Sequence, residues 1–369
     1  MRFVIFGLTV SSSWANGHAT TWRGLLKALD RDGHATTFFE RDVSYYAAER
    51  DLPRPDFCQL VLYDDWPAVL SRARQALADA DVAIVTSYCA DGLAACRLVL
   101  DQVGPVRVFY DIDTPVTLAE LSAHGVATAT GARYLTPDLI PDFDLYLSFA
   151  GGPLLREIET VWGARRAAPL YCSVDPEVHA PTEPRADLRC SLGYLGTYSP
   201  DRQAALDRLL IEPARRASAK RFVVVGSPYP AEIDWPPNVE LHPHLPPPEH
   251  AAFYCANRLT LNVTREAMVQ VGYAPSVRLF EAASCGTPIL SDWWPGLDEL
   301  FAPGEEILIA RTTDDAVAAL ELGDAELARI ARAARERTLA EHTAAFRARE
   351  LVRACESAHS GVPAPMPLA

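Results

Sequence analysis

The stretch RLFEAASCGTPILSD, residues 278–292, places one carboxylate, Glu281, among small residues on a short helix-forming run that closes at Gly286. Pro275 and Ser276 are start signals for that helix, Gly286 is a stop signal, and Thr-Pro beyond it opens a strand. Ala282, Ala283 and Ser284 keep the surface around Glu281 low, so that a ligand or a neighbouring sheet can come close. A carboxylate in this setting can accept both hydroxyls of a ribose, or it can stand as a solvated charge. Arg278, one turn earlier on nearly the same face, can meet a phosphate or pair with Glu281.

Three further places put reactive side chains beside turn-forming residues. The loop LTVSSSWANGHATTWRGLLKAL is rich in Ser, Gly and Asn and runs into an amphipathic helix at about Ala19. Asn16 and Gly17 line it, and His18 falls at or just before the first helical turn. Free N–H groups there attract anions and depress an imidazole pKa, which favours the neutral base. A neutral histidine can take a proton from an acceptor hydroxyl; a capping or solvated histidine is the alternative. YDIDTP supplies Asp111 and Asp113, either of which can orient the His18 ring in a base–orienter pair. D-x-D also resembles a metal motif found on a different fold, but no metal is expected here; an Asx turn before Pro115 is the structural alternative. GYLGTYSPDRQAAL sets Gly196, which permits close backbone approach, six residues before Arg202 at the start of a helix. A cation beside a helix N-terminus makes a diphosphate site; a surface arginine is the plainer reading. LHPHLPPPEHAAFY is a proline-stiffened loop able to hold a flat base through its backbone.

These residues need elements to carry them. Short apolar runs alternate with helix-length amphipathic segments, the pattern of α/β units on parallel sheets. The predicted strands of the first half are 2–7, 35–40, 59–63, 82–87, 106–111 and 144–149, with helices over 20–31, 67–80, 92–103, 115–123 and 153–162. A second series has strands at RCSLGYLG, 221–227, 239–243, 258–263, 287–292 and 305–310, with helices over 201–217, 249–256, 276–285 and 314–321. The expected organisation is an N-terminal domain over 1–170, a proline-rich extended connector over 171–187 and a C-terminal domain over 188–340. A helix over 341–358 and a disordered tail over 359–369 follow. Two such domains are expected to face a cleft at the carboxyl ends of their strands, which gives each loop after a strand an address.

Composition narrows the partners. The net charge of −14 comes with no Lys/Arg run, and Lys27 and Lys220 are the only lysines, so neither nucleic acid nor an anionic membrane is the expected partner. The eight cysteines form no C-x-x-C and no zinc spacing, and read as reduced core residues of a cytoplasmic protein. FVIFGLTV reads as a first strand rather than a signal peptide. No run approaches the roughly 18 apolar residues of a spanning helix, so stable membrane insertion is not expected.

At this point the motifs carry a resemblance. FEAASCGTPILSD with GLDELFAPGEEILI resembles the donor-binding segment of GT-B glycosyltransferases, which have two Rossmann-like parallel-sheet domains and bind a nucleotide-sugar. YCSVDPEVHAP resembles their interdomain hinge, and NGHATTWRGLLKALDRDGH their first loop and helix, where several members carry a catalytic base in a Gly-His. FGLTVSSSWANGHATTWRG, FFERDVSYYAAERD and FYDIDTP are similar to the bacterial CgeB-like branch, named for a spore-maturation protein. The resemblance runs from about residue 1 to 345. It implies that Glu281 binds the ribose and that Arg202 stands where retaining relatives have a phosphate-binding lysine. It also implies donor contacts at Thr197, where those relatives have arginine, and at Tyr273, where they have a second glutamate eight residues before the first. These two departures set the chain apart from the retaining pattern.

The expected protein is therefore a metal-independent glycosyltransferase without a cofactor, in which a UDP-, GDP- or TDP-type sugar is the co-substrate. Glu281, Arg278, Arg202, Gly196, Thr197, Ser276 and Tyr273 bind the donor. His18, with Asp113 or Asp111, activates a hydroxyl of a small metabolite, glycan or protein, with inversion at the sugar. A catalytically silent protein of the same fold, binding in spore or surface assembly, is the alternative. A nicotinamide-dependent oxidoreductase is disfavoured, because GLTVSSSWANG is too long and glycine-poor for a dinucleotide turn.

Overall fold

The computed structural model describes residues 1–14, 17–122 and 134–360, so Asn16 and the tail beyond 360 lie outside the described residues. The chain divides into two units, Met1–Cys172 with the residues from Ala344 onward, and Ser173–Thr343.

The first unit is built on seven parallel strands: β1 (Arg2–Gly7), β2 (Ala35–Arg41), β3 (Gln59–Tyr63), β4 (Val82–Thr86), β5 (Val106–Asp111), β6 (Leu145–Ser148) and β7 (Ala167–Pro169). Their order is β3-β2-β1-β4-β5-β6-β7. Helices cover a parallel sheet on both faces, so its strands read as near-continuous apolar runs; every residue of VAIVT in β4 is buried. The sequence predicts six of these strands. It misses β7, a three-residue edge strand held where Tyr146 N–H donates to the Arg166 carbonyl at 2.8 Å and Leu170 N–H to the Ser148 carbonyl at 2.8 Å. The chain leaves β1 toward β3 and then crosses to β4 on the other side, so the order reverses between β1 and β4.

The helix Ala344–Ser360 belongs to this unit. Its buried residues Ala344, Ala348, Leu351 and Cys355 lie at helical spacing on one stripe. They join Trp22, Leu25, Leu26 and Leu29 of the helix Gly17–Arg31 in one core. Helical periodicity reveals that a stripe exists but not what it covers, and this helix returns past the second unit to the first.

The serine-rich loop after β1 is closed around one carboxylate. Glu40, fully buried at the end of β2, accepts from Thr9 Oγ1 at 2.8 Å, Val10 N–H at 2.7 Å, Ser11 N–H at 3.0 Å and Ser11 Oγ at 2.5 Å. Arg50 donates to Ser11 Oγ at 3.0 Å, and Arg23 donates to the Val10 carbonyl at 2.8 Å while pairing with Asp51. The charged segment after β2 thus ties the first loop down, and several donors that the sequence offers to a ligand already have internal acceptors.

The second unit has six parallel strands: β8 (Leu192–Leu195), β9 (Phe222–Val225), β10 (Val239–His242), β11 (Thr260–Asn262), β12 (Ile289–Ser291) and β13 (Leu308–Ile309). Their order, β10-β9-β8-β11-β12-β13, reverses between β8 and β11. All six match predicted runs. The helix expected over 201–217 is instead Pro200–Leu206 and Glu212–Arg216 joined by a π turn. Pro213 has no N–H to donate, and the turn before it widens so that Glu212 N–H reaches the Asp207 carbonyl. All eight cysteines are free thiols, as their scattered spacing predicts. No described helix is long and apolar enough to cross a membrane.

Candidate functional site

In open parallel sheets, ligands bind beyond the carboxyl ends of the strands where the order reverses. In the first unit that position holds His18, Tyr88 and Asp113. His18 is the second residue of the helix after β1, and its ring lies 5.9 Å from that of Tyr88, which follows β4. Tyr88 Oη donates to Asp113 Oδ2 at 2.8 Å. Tyr88 has a left-handed backbone, φ 64°, unusual for a residue with a Cβ. Such strain costs on the order of 1–3 kcal/mol and persists where the surroundings fix it. His18, Tyr88 and Asp113 thus form a sequence of contacts, with tyrosine joining the pair the sequence brings together directly.

Asp111 plays a different part. It is fully buried and accepts from Tyr146 Oη at 2.6 Å, Thr117 Oγ1 at 2.9 Å and Asp113 N–H at 3.2 Å. Burial above all raises its pKa to about 6, and the hydrogen bonds oppose that rise. Its carboxylate orders the sheet end, and its described partners do not include His18. Gly17 opens the helix, exposed, with no neighbour within 4 Å of where a side chain would begin.

In the second unit the reversal lies between Gly196, which follows β8, and Asn262, which ends β11. Arg278 spans it. Its Nε donates to the Leu195 carbonyl at 2.6 Å, its Nη1 to Asn262 Oδ1 at 2.8 Å, and its Cζ sits 5.1 Å from the Tyr194 ring centroid. The sequence offers Arg278 a phosphate or Glu281 as partner; the structure shows it bracing two strand ends. Asn262 continues into a buried network in which Asp292 accepts from Thr264 N–H and Thr264 Oγ1, both at 2.9 Å. A side chain at Gly196 would strike Tyr194, and one at Gly226 would meet the Gly196 carbonyl at 2.2 Å, so the two glycines let backbones abut.

Arg202 stands beside this turn. Its Nη1 makes one long contact, 3.4 Å, to the carbonyl of exposed Thr197, and its Nε is buried without a hydrogen-bond partner. Burial first, and Arg278 and Arg265 after it, depress the Arg202 pKa. Tyr194 and Asp201 oppose that shift, and Asp201 is itself paired with Arg265. Ser276 caps the next helix by accepting from Arg278 N–H. Tyr273, φ 49°, packs its ring against Gly296 and donates from Oη to Glu299 at 2.9 Å.

Glu281 is 6% exposed on the helix Val277–Ser284. Cys285 and Gly286, the latter at φ 74°, end that helix as its sequence predicts. Glu281 Oε2 accepts from Tyr254 Oη at 2.9 Å, and Oε1 lies 3.6 Å from His179 Nε2. The His179 ring is 2% exposed and neither of its nitrogens has a hydrogen-bond partner. His250 completes the group: its Nε2 lies 3.1 Å from the Leu245 carbonyl, and burial is the main cause of its lowered pKa. Among the described residues, His179, His250 and Glu281 form a cluster with metal-ligand spacing. Sequence reasoning missed Tyr88, His179, Tyr254, His250 and Asn262. Tyr88 and Asn262 had an available signal, since each ends or follows a strand.

Comparison with known proteins agrees with this architecture. The pattern of a family described as glycosyl transferase-like matches residues 202–353, less than half of the chain. No curated protein matches. Among solved structures, the fold is similar to sucrose-phosphate synthase from Thermosynechococcus elongatus, at 14% identity and TM-score 0.64, covering 98% of this chain and 100% of that one. It is similar to Anabaena HepE in complex with UDP-glucose, at 11% identity and TM-score 0.65, covering 97% and 100%. It is also similar to an alpha-glucosyltransferase in complex with UDP-glucose and DNA containing an abasic site, at 13% identity and TM-score 0.69, covering 95% and 98%. The fold, two parallel-sheet α/β units, is the GT-B fold.

Proposed function

We propose that the protein is a glycosyltransferase of the CgeB-like branch that moves a sugar from a nucleoside-diphosphate sugar to a hydroxyl-bearing acceptor. The observation that carries this reading is Arg202: a half-buried arginine with a buried, unpartnered Nε, at the strand-order reversal of the second sheet, beside two more arginines. A diphosphate supplies what that group lacks. Glu281 takes the ribose hydroxyls, and the charge leaving with the nucleoside diphosphate is met by guanidinium groups rather than by a metal ion. Two of the similar structures are described with UDP-glucose. In the first unit His18, set by Tyr88 and Asp113, removes the acceptor proton. The acceptor oxygen bonds to the anomeric carbon as the bond to the diphosphate breaks, which inverts that carbon; a product of retained configuration would refute the direct displacement. The DNA in one similar complex does not transfer to a chain of net charge −14.

Thermal stabilisation by UDP, GDP, TDP, ADP and CDP, with and without Mg²⁺, tests the donor site. One of them at about 100 times its Kd should stabilise by roughly 2.7 kcal/mol, independently of the metal. No shift with any of them would favour the catalytically silent alternative, which Tyr273 and Thr197 support, since Tyr273 Oη is engaged by Glu299.

A further inference from the structure

His179, His250 and Glu281 come from three separate parts of the second unit. His179 lies in the segment after β7, its N–H donating to the Asp175 carbonyl and its carbonyl accepting from Ser284 Oγ. His250 opens the helix His250–Ala256, and Glu281 sits within Val277–Ser284. One ring nitrogen from each histidine and one carboxylate oxygen all fall within 4.8 Å of one another. Chance proximity of charged surface groups does not account for this, because His179 and Glu281 are both more than nine-tenths buried.

The outer contacts of His250 and Glu281 are those that ready ligands for a metal, while both ring nitrogens of His179 are buried without a hydrogen-bond partner. Zinc-bound histidines hand their second ring nitrogen to a carbonyl or carboxylate, which fixes the tautomer. The Leu245 carbonyl holds a proton on His250 Nε2 and leaves the lone pair on Nδ1. Tyr254 occupies Glu281 Oε2, leaving Oε1, the oxygen 3.6 Å from His179 Nε2. Tetrahedral zinc at bond lengths of about 2.0–2.1 Å places its ligands about 3.3–3.5 Å apart, so this pair is already at ligand spacing. The third ligand, a ring nitrogen of His250, lies within 4.8 Å of the other two.

We infer that His179, His250 and Glu281 form a binding site for a zinc-type divalent cation, and that its occupancy excludes the ribose from Glu281. Two imidazoles and a carboxylate suit zinc and its first-row neighbours rather than magnesium or calcium, which take oxygen ligands. Three protein ligands leave one coordination position open. Bound zinc would engage Glu281 Oε1, so metal and nucleoside compete for one carboxylate. The cation joins three segments of the second unit while no donor is bound, and slows transfer when zinc is abundant. The competition rests on the reading of Glu281 as the ribose ligand; the metal site does not.

The test uses the full chain, freed of any affinity tag and stripped with a chelator. Equilibrium dialysis against Zn²⁺ with metal analysis should find one zinc per chain, and Co²⁺ in its place should give the visible d–d absorption of a four- or five-coordinate site. His179→Ala, His250→Ala and Glu281→Gln should each weaken zinc binding about 100-fold or more. Should His179→Ala fail to fold, His250→Ala, at a half-buried position, carries the comparison. The nucleoside of whichever diphosphate stabilises the protein most is then added, because it has the ribose diol without the chelating phosphates. It should raise the apparent zinc Kd in proportion to its concentration. Zinc binding that persists in His179→Ala and His250→Ala, or an absence of stoichiometric zinc, overturns the site. Stoichiometric zinc lost in both variants, in a protein that no nucleotide stabilises, upholds the metal site and refutes the donor reading. Zinc and nucleoside bound together without mutual effect refutes the exclusion.

Discussion

The carboxyl ends of the two sheets differ in how completely their buried polar side chains are paired, although Asp292 in the second unit is as well paired as the carboxylates of the first. In the first unit, Glu40 collects four donors and Asp111 three, all from the protein itself. In the second, Arg202 Nε and both nitrogens of His179 are buried with no hydrogen-bond partner. A buried polar group left unpaired costs roughly 1–3 kcal/mol, whereas a paired one is near neutral or favourable. The difference therefore separates groups that hold the fold from groups that wait for a ligand. By that criterion Glu40 and Asp111 belong to the architecture, and Arg202 and His179 are the candidates for recognition.

Substitutions can break or sharpen this contrast. The largest effect belongs to Glu40→Ala, which strands four buried donors. Stability should fall by about 4 kcal/mol in denaturant unfolding, or by about 8–16 °C of Tm in thermal unfolding. Nucleotide affinity of the folded fraction should not move. A Tm within two degrees of wild type would show that Glu40 does not hold the first loop.

Asp111 gives the next effect, visible in pH. Its pKa is raised in the fold, to about 6 from an ordinary 3.8, chiefly by burial. A raised carboxyl binds its proton more tightly in the folded state, so its contribution is fully present below 3.8 and is lost as pH rises through 6. Wild type should lose roughly 2 kcal/mol relative to Asp111→Asn between pH 4 and 7. Urea unfolding of both proteins across that range checks it; parallel stability curves would contradict it.

The recognition side should respond in affinity instead. Glu281→Ala should weaken nucleotide binding by roughly 1.5–3 kcal/mol, about 12- to 150-fold by calorimetry. Unchanged affinity in the folded variant would make Glu281 a packing residue. Arg202→Gln should cost about 1.5 kcal/mol, near tenfold, for the nucleoside diphosphate and nothing for the nucleoside, with the fold no less stable than wild type. Equal losses for both ligands would move Arg202 away from the phosphates.

Most of the fold was legible because parallel strands are apolar runs separated by helical periodicity. β7 was not, since Ala-Ala-Pro has neither length nor pattern and exists only because β6 offers it an edge. The helix bearing Glu281 was legible down to its cap at Ser276 and its stop at Gly286, both set by local backbone geometry. Its partners were not. Tyr254 and His179 reach Glu281 from far along the chain, and no local rule places them there. Local spacing also pairs Arg278 with Glu281 one turn away, yet the guanidinium goes to the Leu195 carbonyl and Asn262, where two strand ends offer fixed acceptors. The serine-rich loop shows the converse error: donor-rich composition reads as ligand-ready until the acceptor, Glu40, is seen inside it.

The helix Ala344–Ser360 has a consequence for how the protein is made. It completes the core of the first unit with Ala348, Leu351 and Cys355, yet a ribosome delivers it after the whole of Ser173–Thr343. Domains made early usually fold early. Here the earlier unit emerges with the apolar stripe around Trp22 and Leu26 uncovered, and the later unit, continuous in sequence, is able to close first. The order of synthesis and the order of completion are therefore opposed. A nascent chain arrested before residue 344 should hold a finished second unit and an unfinished first one, which is the substrate a chaperone would grip.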